Sequence, residues 1–193
     1  MWLLPAGKGR FHAAMNLEEM INFLETETLC FTASTIGLKS LSLKRKPGFH
    51  CIDLKAFDEK QARGHIEKLI IKETRNFLMT GKHEMPLDLT SFTKFQQDVF
   101  EIVGSLEPGQ ITTYKGIADM LGKPGAAQAV GNAIARNPVS YFLPTYRVLP
   151  RRGLGICRSG AGYLREKLLT REGHDLSRLR GNYVCSRKKC CQE

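Results

Sequence analysis

The sequence predicts an α+β fold in which a small N-terminal α/β subdomain, residues 1–90, precedes a mostly helical domain, residues 91–176. Three observations carry this expectation. In the first half, the short β-branched or alternating segments LCFTAST, GLKSLSLKR and HCIDLKA are separated by turn residues. In the second half, Thr93 and Gln96 form a capping signature ahead of an apolar-periodic stretch. Two further helical stretches follow there, joined by a Gly/Pro turn.

Each element follows from its local pattern. DEKQARGHIEKLIIKETRNFLM places Ile66, Leu69, Ile70 and Phe77 at helical spacing and stops at Gly81. KHEMPLDLTS, with Pro86 as its breaker, reads as a linker. After Thr93, Phe95, Val99, Ile102, Val103 and Leu106 form one apolar face, and Pro108-Gly109 ends that helix. Thr113 can cap the short helix YKGIADML, closed by Gly122. AAQAVGNAIARN makes a second, alanine-rich helix that ends before Pro138. Two helices about a tight turn are a helix-turn-helix pattern, although any packed helix pair reads similarly. Residues 177–193 read as a disordered basic tail.

Composition narrows the class. Apolar residues make up 42% of the 193-residue chain and charged residues 25%, the balance of a globular protein. The net charge of +10 is the departure, and from Arg136 onward thirteen Lys or Arg face four acids. That excess suits a polyanion partner, nucleic acid ahead of a membrane surface, and a solvated basic surface would give the same charge. No apolar run reaches the roughly 18–20 residues that span a bilayer, and MWLLPAGKGRFHAAM has too short an apolar core for a secretory signal. Cys30, Cys51, Cys157, Cys185, Cys190 and Cys191 contain no CxxC pair and are expected to be reduced thiols. No ligand cluster suggests a metal, and nothing calls for a cofactor.

From Phe95 to about Asp175 the motifs run FQQDVF, EPGQITTYKGIA, GKPGAAQAVGNAIARNP, LPTYRV, RSGAGYLREKLLTREG. This order resembles the O6-alkylguanine-DNA alkyltransferase family, whose C-terminal domain carries P-G-x-x-x-T/S-Y, a recognition helix ending in N-P, P-C-H-R-V, and G…K…L-L…E-G. The resemblance implies a ribonuclease H-like N-terminal subdomain and a winged helix-turn-helix. It also implies that the latter enters the minor groove and flips a damaged guanine into a pocket. In that family a cysteine thiolate, generated by a histidine backed by a glutamate, takes the alkyl group once and irreversibly.

PTYR stands in the P-C-H-R slot, with Thr145 at the acceptor position and Tyr146 at the base position. Arg147, Val148, Asn137 and Glu172 match the pattern. Displacement at an alkyl carbon needs a soft anion, and a threonine hydroxyl is not ionised near neutral pH. A phenol with pKa about 10 is a hydrogen-bond donor at pH 7 rather than a base. Losing both groups argues against transfer.

The resemblance assigns the reading head as well. Tyr114 matches the tyrosine that helps rotate the nucleotide out, and Ala126, Ala127 and Ala129 are small residues on the recognition helix. Gln128 stands where the family usually has an arginine finger, so charge and guanidinium stacking are lost there. Arg136 could contact a phosphate or simply end the helix in solvent. Ile134, Arg147 and Val148 are assigned to the base pocket, and Cys157, Arg158, Ser159 and Gly160 to its loop. An arginine like Arg158 is typical of cysteine-less alkyltransferase-like proteins, which recognise alkylated guanine without repairing it. A surface arginine is the competing reading. Cys157 keeps an enzymatic alternative open, since Arg158 or Arg152 could lower its pKa.

The expectation is therefore an intracellular monomer, cytoplasmic or nuclear, that binds double-stranded and alkylated DNA without repairing it and hands the lesion to other repair proteins. An active transferase using Cys157 and a lesion-independent DNA-binding regulator are the alternatives.

Overall fold

The computed structural model describes residues 28–42, 48–53, 64–150 and 162–179. These residues form a mixed structure of helices and two small sheets. The first sheet comprises β1 (Thr28–Ala33), β2 (Leu38–Ser42) and β3 (His50–Asp53), all antiparallel in the order β2-β1-β3. As the central strand, β1 buries Leu29, Cys30 and Phe31 in succession. At the β1–β2 turn the Ser34 amide donates to the Gly37 carbonyl at 2.9 Å. Gly37 is required there by close approach, because a Cβ would lie 2.4 Å from the Pro86 carbonyl oxygen.

That approach closes the outer edge of β2. The Leu38 amide donates to the Pro86 carbonyl and the Asp88 amide to the Leu38 carbonyl, both at 2.9 Å, so the stretch read as a linker pairs in parallel with the sheet. Further along the same strand, the Leu41 amide donates to the Pro138 carbonyl at 2.8 Å. An exposed row of strand donors is an invitation to wrong pairing, and here both donors are taken up by later stretches of the chain, at Pro86 and Pro138.

Cys30 and Cys51 face each other in the β1–β3 register and are joined by a disulfide. This corrects the expectation of six reduced thiols. Directly opposed antiparallel residues project their Cβ atoms to the same face within bonding range. Sequence spacing does not reveal that register.

Helix α1 (His65–Thr80) packs Ile70, Ile71, Phe77 and Leu78 into the core and ends at Gly81, whose φ of 73° is the left-handed cap that glycine adopts at least cost. Helix α2 (Lys94–Gly104) starts on the expected capping box, Thr93 with Gln96. It divides its apolar face, with Phe100 in a core shared with β1, β2 and α1, and Val99 and Val103 in a second cluster. The first core runs from Leu29 to Leu169, across position 90.

The second cluster holds the expected helix pair together. Strand β4 (Thr112–Thr113) leads into α3 (Tyr114–Met120), and α4 (Ala127–Ala135) follows the Leu121–Ala126 turn. The Thr113 hydroxyl accepts the Gly116 amide at 3.0 Å as the cap. Ile117, Ala118, Val130 and Ala133 are buried between the two helices and α2. Beyond α4, 3₁₀ turns at Ser140–Phe142 and Thr145–Arg147 lead to β5 (Val148–Leu149), which pairs in parallel with β4. Helices α5 (Gly162–Arg171) and α6 (Leu176–Leu179) complete the described chain. No helix among the described residues is long and apolar enough to cross a membrane.

Candidate functional site

The β4–β5 ladder brings two separate motifs together. Thr112 pairs with Val148 and Thr113 with Leu149 in parallel, so the Pro144–Arg147 turn enters one end of the two-stranded ladder and Tyr114, at the start of α3, leaves the other. Asn137 adds a third segment. Its Oδ1 accepts the Val139 amide at 3.0 Å, and its Nδ2 donates to the Leu143 carbonyl and to Thr145 Oγ1, each at 3.3 Å. From Tyr141 to Leu149 every residue is buried except Thr145.

Behind Thr145 lies a buried polar cluster. Tyr146 Oη donates to Glu172 Oε1 at 2.6 Å, and Arg147 Nε reaches both carboxylate oxygens at 3.1 Å. Arg147 Nη2 adds a 2.5 Å contact to Oε1 and a 3.1 Å bond to the Gly81 carbonyl, while Nη1 donates to the Leu106 carbonyl. The Gly109 amide donates to Glu172 Oε2 at 3.2 Å. Arg147 is 2% exposed, so all this occurs out of water, where an unpaired charge would cost several kcal/mol. Burial, with the Glu172 carboxylate beside it, pushes the Tyr146 phenol well above its ordinary pKa. A phenol so placed keeps its proton and gives it to Glu172 as a hydrogen bond.

These contacts change the place of one expected pocket residue. Arg147 does not line an open pocket: its guanidinium is spent on Glu172 and on carbonyls at the ends of α1 and α2. Val148 is likewise buried, in the second core cluster, with Ile134 packed at its margin. Arg171 went unnoticed in the sequence. It is buried, and its Nη1 donates to the carbonyls of Phe77 and Leu78 at 3.3 and 2.7 Å, a second cation on the negative end of α1. Its only local signal is a basic residue in the last turn of α5, which usually faces solvent.

The proposed reading head has the opposite character. Gln128, Ala129 and Arg136 are exposed, Ala126 and Ala127 are half-buried, and no acid occurs between Ala126 and Arg136. Gln128 Nε2 makes a 3.3 Å bond to Asn132 Oδ1, one helical turn on. Tyr114 is half-buried against the second core. Thus Asn137 and Thr145 come together, Tyr114 packs apart from them on the second core, Tyr146, Arg147 and Glu172 form a separate buried cluster, and the α4 residues share an outward face. Cys157, Arg158, Ser159 and Gly160 lie outside the described residues.

Residues 94–174 match the family model for the 6-O-methylguanine DNA methyltransferase, DNA binding domain. This part of the chain is thus similar to the DNA-binding domain of O6-methylguanine DNA methyltransferases. A methylated-DNA–protein-cysteine methyltransferase of Shigella flexneri is 39% identical over 85 residues, 44% of this chain and 50% of that protein. The human protein of the same name is 33% identical over 102 residues, covering 53% and 48%. The chain therefore spans about half the length of the curated alkyltransferases it matches. Among solved structures, an OGT of Mycobacterium tuberculosis in complex with DNA aligns with a TM-score of 0.58 at 25% identity, over 78% of this chain and 87% of that one.

Proposed function

We propose that this chain is an alkyltransferase homologue that binds double-stranded DNA and recognises O6-alkylguanine without removing the alkyl group, leaving the lesion for other repair proteins. In this reading residues 91–176 act as a winged helix-turn-helix after a ribonuclease H-like subdomain. The outward face of α4 enters the minor groove, and Tyr114 assists extrusion of the nucleotide. The observation that carries the proposal is the state of the two residues in the acceptor slot. Thr145 offers a neutral hydroxyl hydrogen-bonded to Asn137, and Tyr146 directs its proton into Glu172. Neither group can supply the thiolate on which transfer depends.

Intact-protein mass after incubation with O6-methylguanine duplex tests the chemistry. The wild-type chain should gain no methyl mass, Thr145→Cys should gain little, and Thr145→Cys with Tyr146→His should gain more. Methylation of the wild-type chain, at Cys157 or elsewhere, would replace this reading with an active transferase. Titration of plain and O6-methylguanine duplexes tests recognition. Equal affinity for the two would leave a lesion-independent DNA-binding regulator.

A further inference from the structure

We infer that the Cys30–Cys51 disulfide is a redox-sensitive clasp: its reduction by a dithiol loosens the edge strand β3 and, through the sheet, weakens the hold of the chain on DNA. The link to DNA rests on the DNA-binding reading above, and the clasp itself does not.

The two sulfur-bearing residues are unequal. Cys30 lies on the central strand β1 with no exposure, whereas Cys51, on β3 at the edge of the described sheet, is only half-buried. The rate of thiol–disulfide exchange depends on access to the sulfur attacked. An incoming thiolate therefore bonds to Cys51 Sγ, and the electron pair of the S–S bond passes to Cys30 Sγ, which takes up a proton. The second thiol of the dithiol then displaces Cys51 Sγ, which is protonated in turn. The protein gains two electrons and two protons, and the reductant leaves as a disulfide. A thiolate released in the core is costly, so the first step is fastest when β3 lifts and lets water reach Cys30.

The place of the cross-link in the sheet gives it reach. Cys30 is opposed by Cys51 on one side and by Ser42 on the other, and the next residue, Phe31, by His50 and Leu41. The Leu41 amide donates to the Pro138 carbonyl at 2.8 Å. Pro138 follows Asn137, whose Nδ2 donates to the Leu143 carbonyl and to Thr145 Oγ1. On the other side, His50 Nε2 is 2.5 Å from Glu67 of α1, and its ring meets Phe31 edge-on at 5.2 Å. While the disulfide is closed, β3 and β1 move as one body. Opening it removes a covalent constraint between residues 21 apart and leaves β3 to its ladder and its His50–Glu67 contact. The row that bears on Pro138 is then less firmly held.

The test compares the full chain before and after treatment with dithiothreitol, well below the thermal midpoint of either form. Iodoacetamide labelling read by intact mass should find two more thiols after reduction, and a brief exposure to glutathione before quenching should leave its adduct on Cys51. Amide hydrogen exchange in β1 and β3 should speed up on reduction. Affinity for a plain duplex, titrated by fluorescence at one fixed salt, should fall about two- to tenfold. Cys51→Ser should bind as the reduced chain does, with or without dithiothreitol. An unchanged thiol count, an adduct on Cys30, or unchanged hydrogen exchange overturns the clasp. Faster exchange with unchanged affinity overturns the link to DNA, as does an affinity response that persists in Cys51→Ser. If neither form binds the duplex, the DNA-binding reading and the link fall together, while thiol count and hydrogen exchange still decide the clasp.

Discussion

The outward face of α4 and the corner around Glu172 lie in one domain and are built in opposite ways. On α4, Gln128 is exposed and holds only Asn132 one turn away. Around Glu172, Tyr146, Arg147, Gly109, Gly81 and Leu106 from four stretches of chain share one network. The sequence reading expects both regions to depart from the alkyltransferase pattern, at Gln128 and at Thr145-Tyr146, and the two positions differ in kind. A change on α4 alters what the helix can touch and leaves the fold alone. A change at position 146 must still give Glu172 a donor, and tyrosine does so through its hydroxyl.

The largest separation between the two regions should appear in stability. Arg147→Ala leaves Glu172 buried without its cation and frees carbonyls at two helix ends, and should cost about 3–5 kcal/mol in urea unfolding. Gln128→Ala should change stability by no more than about 0.5 kcal/mol. Similar losses for the two would show that α4 is also part of the scaffold and erase the distinction.

A pH series sharpens the buried side. Burial lowers the pKa of His83 from its ordinary value, against a smaller opposing effect of its hydrogen bond to Phe142. Its Nε2 is 2.6 Å from the Phe142 carbonyl and its Nδ1 accepts the Met85 amide at 3.1 Å, so a second ring proton would oppose that amide. A folded-state pKa below the unfolded one makes this contribution complete above the unfolded pKa near 6.5 and lost as pH falls through the folded value. Thermal midpoints should therefore fall below about pH 6.5. His83→Gln should flatten that slope without abolishing it, because burial lowers the His174 pKa too. An unchanged slope in His83→Gln would place the titration elsewhere.

The smallest effect belongs to the exposed side. Gln128→Arg should tighten duplex binding on the order of 1 kcal/mol by restoring charge and stacking. The gain should shrink as salt rises, since part of it is phosphate attraction. A gain independent of salt would point to base contacts alone.

What the sequence disclosed was mostly local. Thr93 and Gln96, Thr113 and Gly81 mark helix ends through bonds spanning a few residues, and each acts as its pattern predicts. The order of motifs drew attention to Tyr146 and Glu172, which share a hydrogen bond, because it ties residues together without requiring their distances. What escaped depends on register or long reach. Cys30 meets Cys51 through strand pairing, Pro86 and Asp88 join the sheet through Leu38, and Arg171 reaches carbonyls far back in the chain. Arg147 escaped for another reason: an arginine beside a candidate pocket looks like a ligand contact, and only the carbonyls of Gly81 and Leu106 show where its donors go.

The bond from Leu41 to Pro138 bears on how the molecule would carry load. Proline has no amide hydrogen, so its carbonyl is what Pro138 offers as a backbone anchor, three residues after α4 ends at Ala135. If α4 enters a groove as proposed, load on the helix would pass through this bond to the edge of β2. The three-stranded sheet then stands behind the end of α4 as an abutment, beside the hold that Val130 and Ala133 give the helix in the second core.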